Sequence, residues 1–591
     1  MYKVIKTEAY MDNGEKKLSS LFDGRTIFNI PEYQRAYAWG SSQLQDFVED
    51  IENQKIDRSY FLGTVLFEEK GQEKNYKLID IVDGQQRITT IIIFMTVLIE
   101  LLRNLTNDED ELDDIDLLFE TYVKYKSQFK LRALDEDNDF FHSYILSNNC
   151  GKDYIRTPAQ RRLYKAKTFF SKYLSDFSKE ELLIIKNKVD ENSRVLVYSV
   201  QDTAEATLIF ETTNDRGKGL TNLEKIKSFL MYKSYISSEE TPEDLLNSIR
   251  SRFSDIYKEY EKYESKIAED SILQYHFIAH QKWNAKEYQQ YVSKVKSKIN
   301  KFIVNKKNDK ALHFIDKYSV ELKESFLTVH DILKSKIPEL RDIFILSRTG
   351  NFWPLLIKTY KLDKTENKSN FINIVKLLEK YSFRVYAVNQ NRGNTGQSKL
   401  YSFARDFDGD YQELENKLKA IIRSYSSNKM FVSNMSDEWI YDWMTTRDLS
   451  YFFWKYENYL RTTKQPKSSP MSEEEFITKD SKFKLSIEHI ASQTPNKSIV
   501  KDSSILPEVD EEFEEEFLHC LGNLTIDPQS SNSSKGNKIF EDKNEKYFIR
   551  APFKTQNELD SFVVNNEWSR ESISHRKQKL IDFALINWNI D

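Results

Sequence analysis

The chain has 591 residues, of which 39% are apolar and 30% charged, with a mean hydropathy of -0.64 and a formal net charge of -6. Such a length exceeds what one hydrophobic core organises, and the charge excludes a globally basic nucleic-acid binder, so two to four domains and at most a local basic surface are expected. Two cysteines, Cys150 and Cys520, exclude a disulfide framework; together with an amino terminus that lacks a signal-peptide core, they lead to the expectation of a reducing cytoplasm.

In chain order, "TIFNIP", "YFLGTVLFEE" and "YKLIDIVDG" are rich in β-branched and aromatic residues and predict strands within the first hundred positions. The apolar run from Ile88 to Leu102 contains three threonines and a glutamate. It is shorter than the roughly 20 residues needed to cross a bilayer, so it predicts a buried helix and no membrane partner. Between strand and helix lies "DGQQRITT", Asp83 to Thr90. Gly84 permits a tight turn there, and the unpaired N–H groups of the new helix, with Arg87 and Thr89, make an anion cradle. Arg35, in "IPEYQRAYAW", would add a second planar fork for phosphate, and Asp83 would hold a metal or orient a water. The competing reading makes Asp83 a helix cap and Arg35 its ion-pair partner. No G-x-x-x-x-G-K-[ST] occurs, which excludes an ordinary P-loop. After a further strand, "SRVLVYSV", the segment "IFETTNDRGKGL" places Asn214 and Gly217 at a turn, and Arg216 and Lys218 beside a helix start that could join the same anion site.

From about 240 to 465 the apolar spacing is helical almost throughout and shows no fixed repeat. "RTTKQPKSSPMSEEEF" is the best linker. The expected organisation is α+β multidomain and mainly helical: a mixed α/β domain over 1–235, a helical domain over 236–465 and a third unit over 466–591. Lys294, Lys296, Lys298, Lys301, Lys306 and Lys307 read as a solvated helix face rather than a DNA surface. His276 and His280 have the four-residue spacing of a metal pair but no third ligand, and read as ordinary helix residues.

The last unit carries "SIEHIASQ", a strand with an adjacent glutamate and histidine that need polar partners once buried. An acidic loop, a second strand "CLGNLTI" and a helix start in "SSNSSKGNKIFEDK" follow. His489 and Asn523 are 34 positions apart (523 minus 489), and Asn523 and Asn532 are nine (532 minus 523). Strand, loop, strand and helix is the layout of a ββα-metal, or HNH, nuclease. Phosphodiester hydrolysis needs a base for water and a divalent cation. His489 would be the base and Asn523 the brace that orients it. Glu488 and Asn532 would ligate Mg²⁺ or Mn²⁺, with Asn537 as the alternative to Asn532.

Taken together and in order, "IPEYQR…W", "YFLGTVLF", "DGQQRITT" and "IFETTNDRGKGL…IK" resemble the amino-terminal domain of GmrSD-type modification-dependent restriction endonucleases, a ParB/sulfiredoxin-like fold. "IEHI…Q", "LGNLTI" and "N…GNKIFEDK" resemble the nuclease domain paired with it. The chain departs from that pattern at Ser492, where a proline is usual, and at Asp527, where a leucine is usual. The resemblance implies hydrolysis of a nucleoside triphosphate (GTP, UTP or ATP) at a site lined by Gln34, Arg35, Asp83, Gly84, Gln85, Gln86 and Arg87, with Asn214 and Arg216, in which Asp83 and Arg87 serve catalysis. It also implies cleavage of DNA, including modified phage DNA, in anti-phage defence, with a second copy or a defence-system protein as a further partner. Two alternatives stay open: a nucleotide-responsive DNA sensor whose nuclease has decayed, and a nuclease directed at RNA.

Overall fold

The computed structural model describes residues 13–55, 58–147, 154–200, 221–238, 242–284, 286–476, 485–493, 511–528, 535, 538–564 and 567–590. Two compact units emerge: one takes residues up to 277 and Trp283–Asp331, the other Ile278–Lys282 and Ile332–Asp591, so the helical stretch 236–465 is shared between them.

The first unit is built on a six-stranded mixed sheet. Its strands are β1 (Gly14–Lys17), β2 (Thr26–Asn29), β3 (Tyr60–Glu73), β4 (Tyr76–Asp83), β5 (Leu131–Arg132) and β6 (Ser193–Val200), in the order β1-β6-β3-β4-β2-β5. β3 and β4 form an antiparallel hairpin, while β6 runs parallel to β3 and β2 runs parallel to β4. The three strands expected from "TIFNIP", "YFLGTVLFEE" and "YKLIDIVDG" are therefore β2, β3 and β4. Helix α1 (Gln85–Leu105) follows β4 with Gly84 as its only joint. Gly84 is left-handed, at φ 90°, and a Cβ there would come within 2.8 Å of Val65 Cγ1, so only glycine fits this turn without strain.

Helix α1 is longer than the apolar run that announced it. It is long and apolar enough to cross a membrane by length and composition alone, yet 72% of its apolar window is buried inside the unit. Phe94 packs edge-on to Phe47 and Phe170, and Ile88, Ile91, Ile92, Met95 and Leu98 are fully enclosed. A helix apolar all round belongs in a core of this kind. Against it packs α2 (Pro158–Leu174), while α3 (Asn222–Ser237) packs on α4 (Pro242–Glu261) and α5 (Tyr291–Val304). In α5, Lys298 lies over the Phe314 ring at 4.2 Å, Lys296 over Phe229 at 4.8 Å, and Lys294 pairs with Glu287. Half of the expected lysine face is thus engaged within the unit.

The second unit is mostly helical and holds one small sheet, β7 (Leu485–His489) antiparallel to β8 (Leu524–Pro528). Its core joins aromatic residues of α7 (Thr446–Thr463) to both strands and to α9 (Arg570–Asn587). The short helices α6 (Ile440–Trp443) and α8 (Phe540–Lys543) bring further residues beside the sheet. This is α+β architecture, mainly helical.

Candidate functional sites in the two units

In the first unit, the "DGQQR" residues clasp the chain at 34–38. Gln85 Nε2 donates to the Arg35 carbonyl (3.1 Å), Gln86 Nε2 to the Ala36 carbonyl (3.2 Å), and Gln86 Oε1 accepts from the Ala38 amide (2.8 Å). Gln34 returns the contact by donating to the Val82 carbonyl at 2.6 Å. Arg87 donates to the Thr64 carbonyl at 3.0 Å, and its guanidinium lies against Gly63 where any Cβ would sit 2.8–2.9 Å away. Burial lowers the Arg87 pKa, while Asp83 and Asp50 raise it. These side chains fix backbone shape.

Arg35 does not pair with Asp83. Its Nε is 3.0 Å from Glu224, whose carboxylate also closes the N-terminal capping box of α3 with Thr221. Gly84, not Asp83, occupies the cap position of α1, which makes no side-chain cap bond. Both parts of the competing reading are thereby replaced. Beside Arg35 opens a cavity of about 610 Å³, lined by Gln34, Arg35, Arg162, Tyr257 and Glu269 among others. That volume lies within the range of small-molecule sites. Lys227, buried at 5% exposure on α3, donates to the Tyr33 carbonyl at 3.1 Å. Desolvation brings its pKa down to about 8, against an attraction to Glu224. Lys227 lay inside a quoted motif, yet nothing in its spacing marked it as buried. Asn214 and Arg216 lie outside the described residues.

In the second unit, the register places His489 opposite Leu524 and Glu488 opposite Thr525. Successive strand residues face opposite sides, so His489 and Glu488 are separated by the sheet. His489 is 7% exposed. Its ring meets Tyr441 edge-on at 4.4 Å and His519 at 5.3 Å, and the Gln493 amide nitrogen lies 3.2 and 3.3 Å from the two ring nitrogens. Burial, with His519 and Lys543 adding positive charge, lowers its pKa to about 3. The imidazole is therefore neutral at physiological pH, with a lone pair available but weakly basic.

Asn523 is fully buried just ahead of β8. Its Oδ1 accepts from the Ala491 amide (2.8 Å) and Trp568 Nε1 (3.1 Å), and its Nδ2 donates to the Leu518 carbonyl (2.9 Å). Such complete satisfaction suits a residue that positions the turn after His489. The fold also brings His519 beside His489 and within 3.8 Å of Asp442. Arg576 is also newly placed: fully buried on α9, it donates to the Gly522 and Leu524 carbonyls at 2.7 Å and braces the turn into β8.

Glu488, the expected cation ligand, is paired with Lys543 at 2.7 Å, and the same ammonium donates to the His489 carbonyl at 2.8 Å. Beside it Asp527 pairs with Lys535 at 2.6 Å, both out of contact with water. Burial raises the Glu488 pKa and lowers that of Lys543, opposing their mutual attraction. Asn532 and Asn537 lie outside the described residues, and no group of three His, Cys, Asp or Glu side chains among the described residues could hold a metal ion. Its carboxylates already neutralised by ammonium groups, the described part of the site does not fit a divalent cation. His276, the other histidine considered for metal, is buried with Nδ1 2.9 Å from Ser325 Oγ and its ring against Tyr318.

Residues 18–231 match the family described as GmrSD restriction endonuclease, N-terminal domain. Residues 425–583 match its counterpart, GmrSD restriction endonucleases, C-terminal domain. Comparison with curated proteins found no match. One match contains the β4–α1 clasp and the other the strand pair with His489, which makes the chain a DNA endonuclease of a restriction system. It belongs to the GmrSD-type restriction endonuclease family.

Proposed function

We propose that phosphodiester hydrolysis takes place at the β7–β8 pair and that nucleotide hydrolysis takes place in the first unit. On this reading the second unit is an HNH-type nuclease, the first is ParB-like, and modified phage DNA is the target. The observation that carries the nuclease half is the histidine niche. A neutral imidazole at a strand end, braced through Asn523 and flanked by Gln493, Tyr441 and His519, is a proton acceptor for an attacking water. His519, with Asp442 behind it, closes the niche on one side. Glu488 and Lys543 hold the strand from the opposite face and are positioning groups.

The nucleotide half rests on the cavity beside Arg35, whose wall is shaped by the Gln85 and Gln86 clasp. Asp83 and Arg87 then act on nucleotide through the geometry of that wall. One preparation tests both halves. His489→Ala is expected to lose plasmid cleavage while keeping nucleotide hydrolysis, and Arg35→Ala to lose nucleotide hydrolysis first. Undiminished cleavage by His489→Ala rejects the nuclease assignment. Labelled tRNA cut in preference to DNA would turn the reading towards RNA.

A further inference from the structure

A row of rings leads outward from the nuclease strand pair. Tyr441 meets His489 edge-on at 4.4 Å, His519 stacks on Tyr441 at 5.8 Å with 27° between the planes, and Trp439 stacks on His519 at 5.4 Å with 17°. Exposure rises along the row. His489 is 7% exposed, whereas Trp439 is 46% exposed even with His519 against its ring. One exposed apolar side chain is ordinary by itself. Trp439 differs in its place, at the solvent end of a row that reaches the proposed base, and in how firmly it is held.

Asp437 Oδ1 accepts from the Trp439 amide and from Trp443 Nε1, both at 2.9 Å, which pins the turn into α6. The Tyr441 amide donates to the His519 carbonyl at 3.2 Å, which ties α6 to the segment that carries His519. With backbone and ring both supported, the indole is ordered before any ligand arrives, and a partner that stacks on it spares the entropy of ordering it. The charges around the indole select that partner. Glu438 pairs with Lys577 at 3.5 Å, and Asp442, its side chain half exposed, stands 3.8 Å from His519. A phosphate placed here would meet carboxylates, whereas the face of a nucleobase carries no net charge and stacks on an aromatic ring whatever the base.

We propose that Trp439 is a stacking platform for one base of the DNA strand being cut, a base drawn out of its own stack beside the scissile phosphate. This rests on the nuclease reading of β7 and β8 and adds to it a residue that positions substrate. Stacked on Trp439, the base extends the row by one ring and fixes the register of the strand against His489. A base inside a duplex has both faces covered, so the platform favours a locally opened strand over an intact one.

The test measures affinity, on the full chain carrying His489→Ala so that substrate persists, by fluorescence anisotropy of two labelled strands. One is a short thymidine oligodeoxynucleotide and the other an abasic strand of equal length. Trp439→Leu, which keeps apolar bulk but removes the ring, is expected to weaken the thymidine strand by about tenfold, the scale of one lost base stack, and Trp439→Phe to weaken it less. Neither substitution should change affinity for the abasic strand, which offers no base to stack. A merely structural role would weaken both strands alike, and that result overturns the platform. Should Trp439→Leu lower the melting temperature, Trp439→Phe decides by the same two strands. Unchanged affinity for the thymidine strand in both variants overturns the platform and leaves the nuclease reading standing. Loss confined to the thymidine strand, with plasmid cleavage undiminished by His489→Ala, supports the platform and removes His489 as the base.

Discussion

The two units treat buried charge in opposite ways. In the first, Lys227 is enclosed with a backbone carbonyl as its hydrogen-bond partner, and Glu224 and Asp83 only offset the cost of its burial. In the second, Glu488 and Asp527 are enclosed with Lys543 and Lys535, and the charge is balanced internally. A charge enclosed without a carboxylate in contact costs stability, whereas a directly paired one rigidifies. That balance is why Glu488, expected to bind a cation, holds its strand against Lys543.

Breaking the balanced side has the largest expected effect on stability. Lys543→Met leaves Glu488 buried without its partner and should cost about 3–5 kcal/mol by denaturant unfolding. Adding Glu488→Leu should restore most of it. A single variant as stable as wild type would show that the pair is not closed in solution.

On the unbalanced side the sign reverses. Lys227 has its pKa lowered from 10.5 to about 8, so between those values the unfolded chain binds more protons and stability rises with pH. The cost of charging it is full below pH 8 and disappears above 10.5. Lys227→Met should therefore be more stable at pH 7, by something on the order of 3 kcal/mol, and the advantage should shrink as pH climbs through that window. A pH-independent difference would contradict the assignment of the cost to this ammonium.

Two smaller effects sharpen the comparison within the nuclease region. Asn523→Ala strands Trp568 Nε1, the Ala491 amide and the Leu518 carbonyl, and should cost about 2 kcal/mol with a matching loss of cleavage. His519→Ala should slow single-turnover cleavage by about tenfold while leaving the melting temperature unchanged, the modest penalty of removing a wall of the niche rather than the base. Equal losses from His519→Ala and His489→Ala would move the base to His519.

Much of this fold could be read from local pattern. Alternating β-branched residues gave β2, β3, β4 and β6, and the apolar run gave a buried α1, because strand and helix periodicities leave direct marks on a chain. The pairing of the His489 and Asn523 strands followed from their order. What could not be read was long-range and charged. Lys535 and Lys543 sit in a polar, lysine-rich stretch that looks solvated, yet both are buried against carboxylates of β8 and β7. Lys227 lies in an ordinary helix, and its hydrogen bond reaches the Tyr33 carbonyl, 194 positions earlier. The partner of Arg35 was misread for the same reason: Glu224 comes from another helix, whereas Asp83 was the nearer acid among the quoted motifs.

The most direct test is single-turnover cleavage of supercoiled plasmid DNA by purified wild type and His489→Ala, with melting followed on the same samples. The loss of a general base predicts a fall of about a hundredfold or more at unchanged melting temperature. Cleavage by His489→Ala at the wild-type rate would contradict the account, because His489 is the base on which the nuclease reading rests.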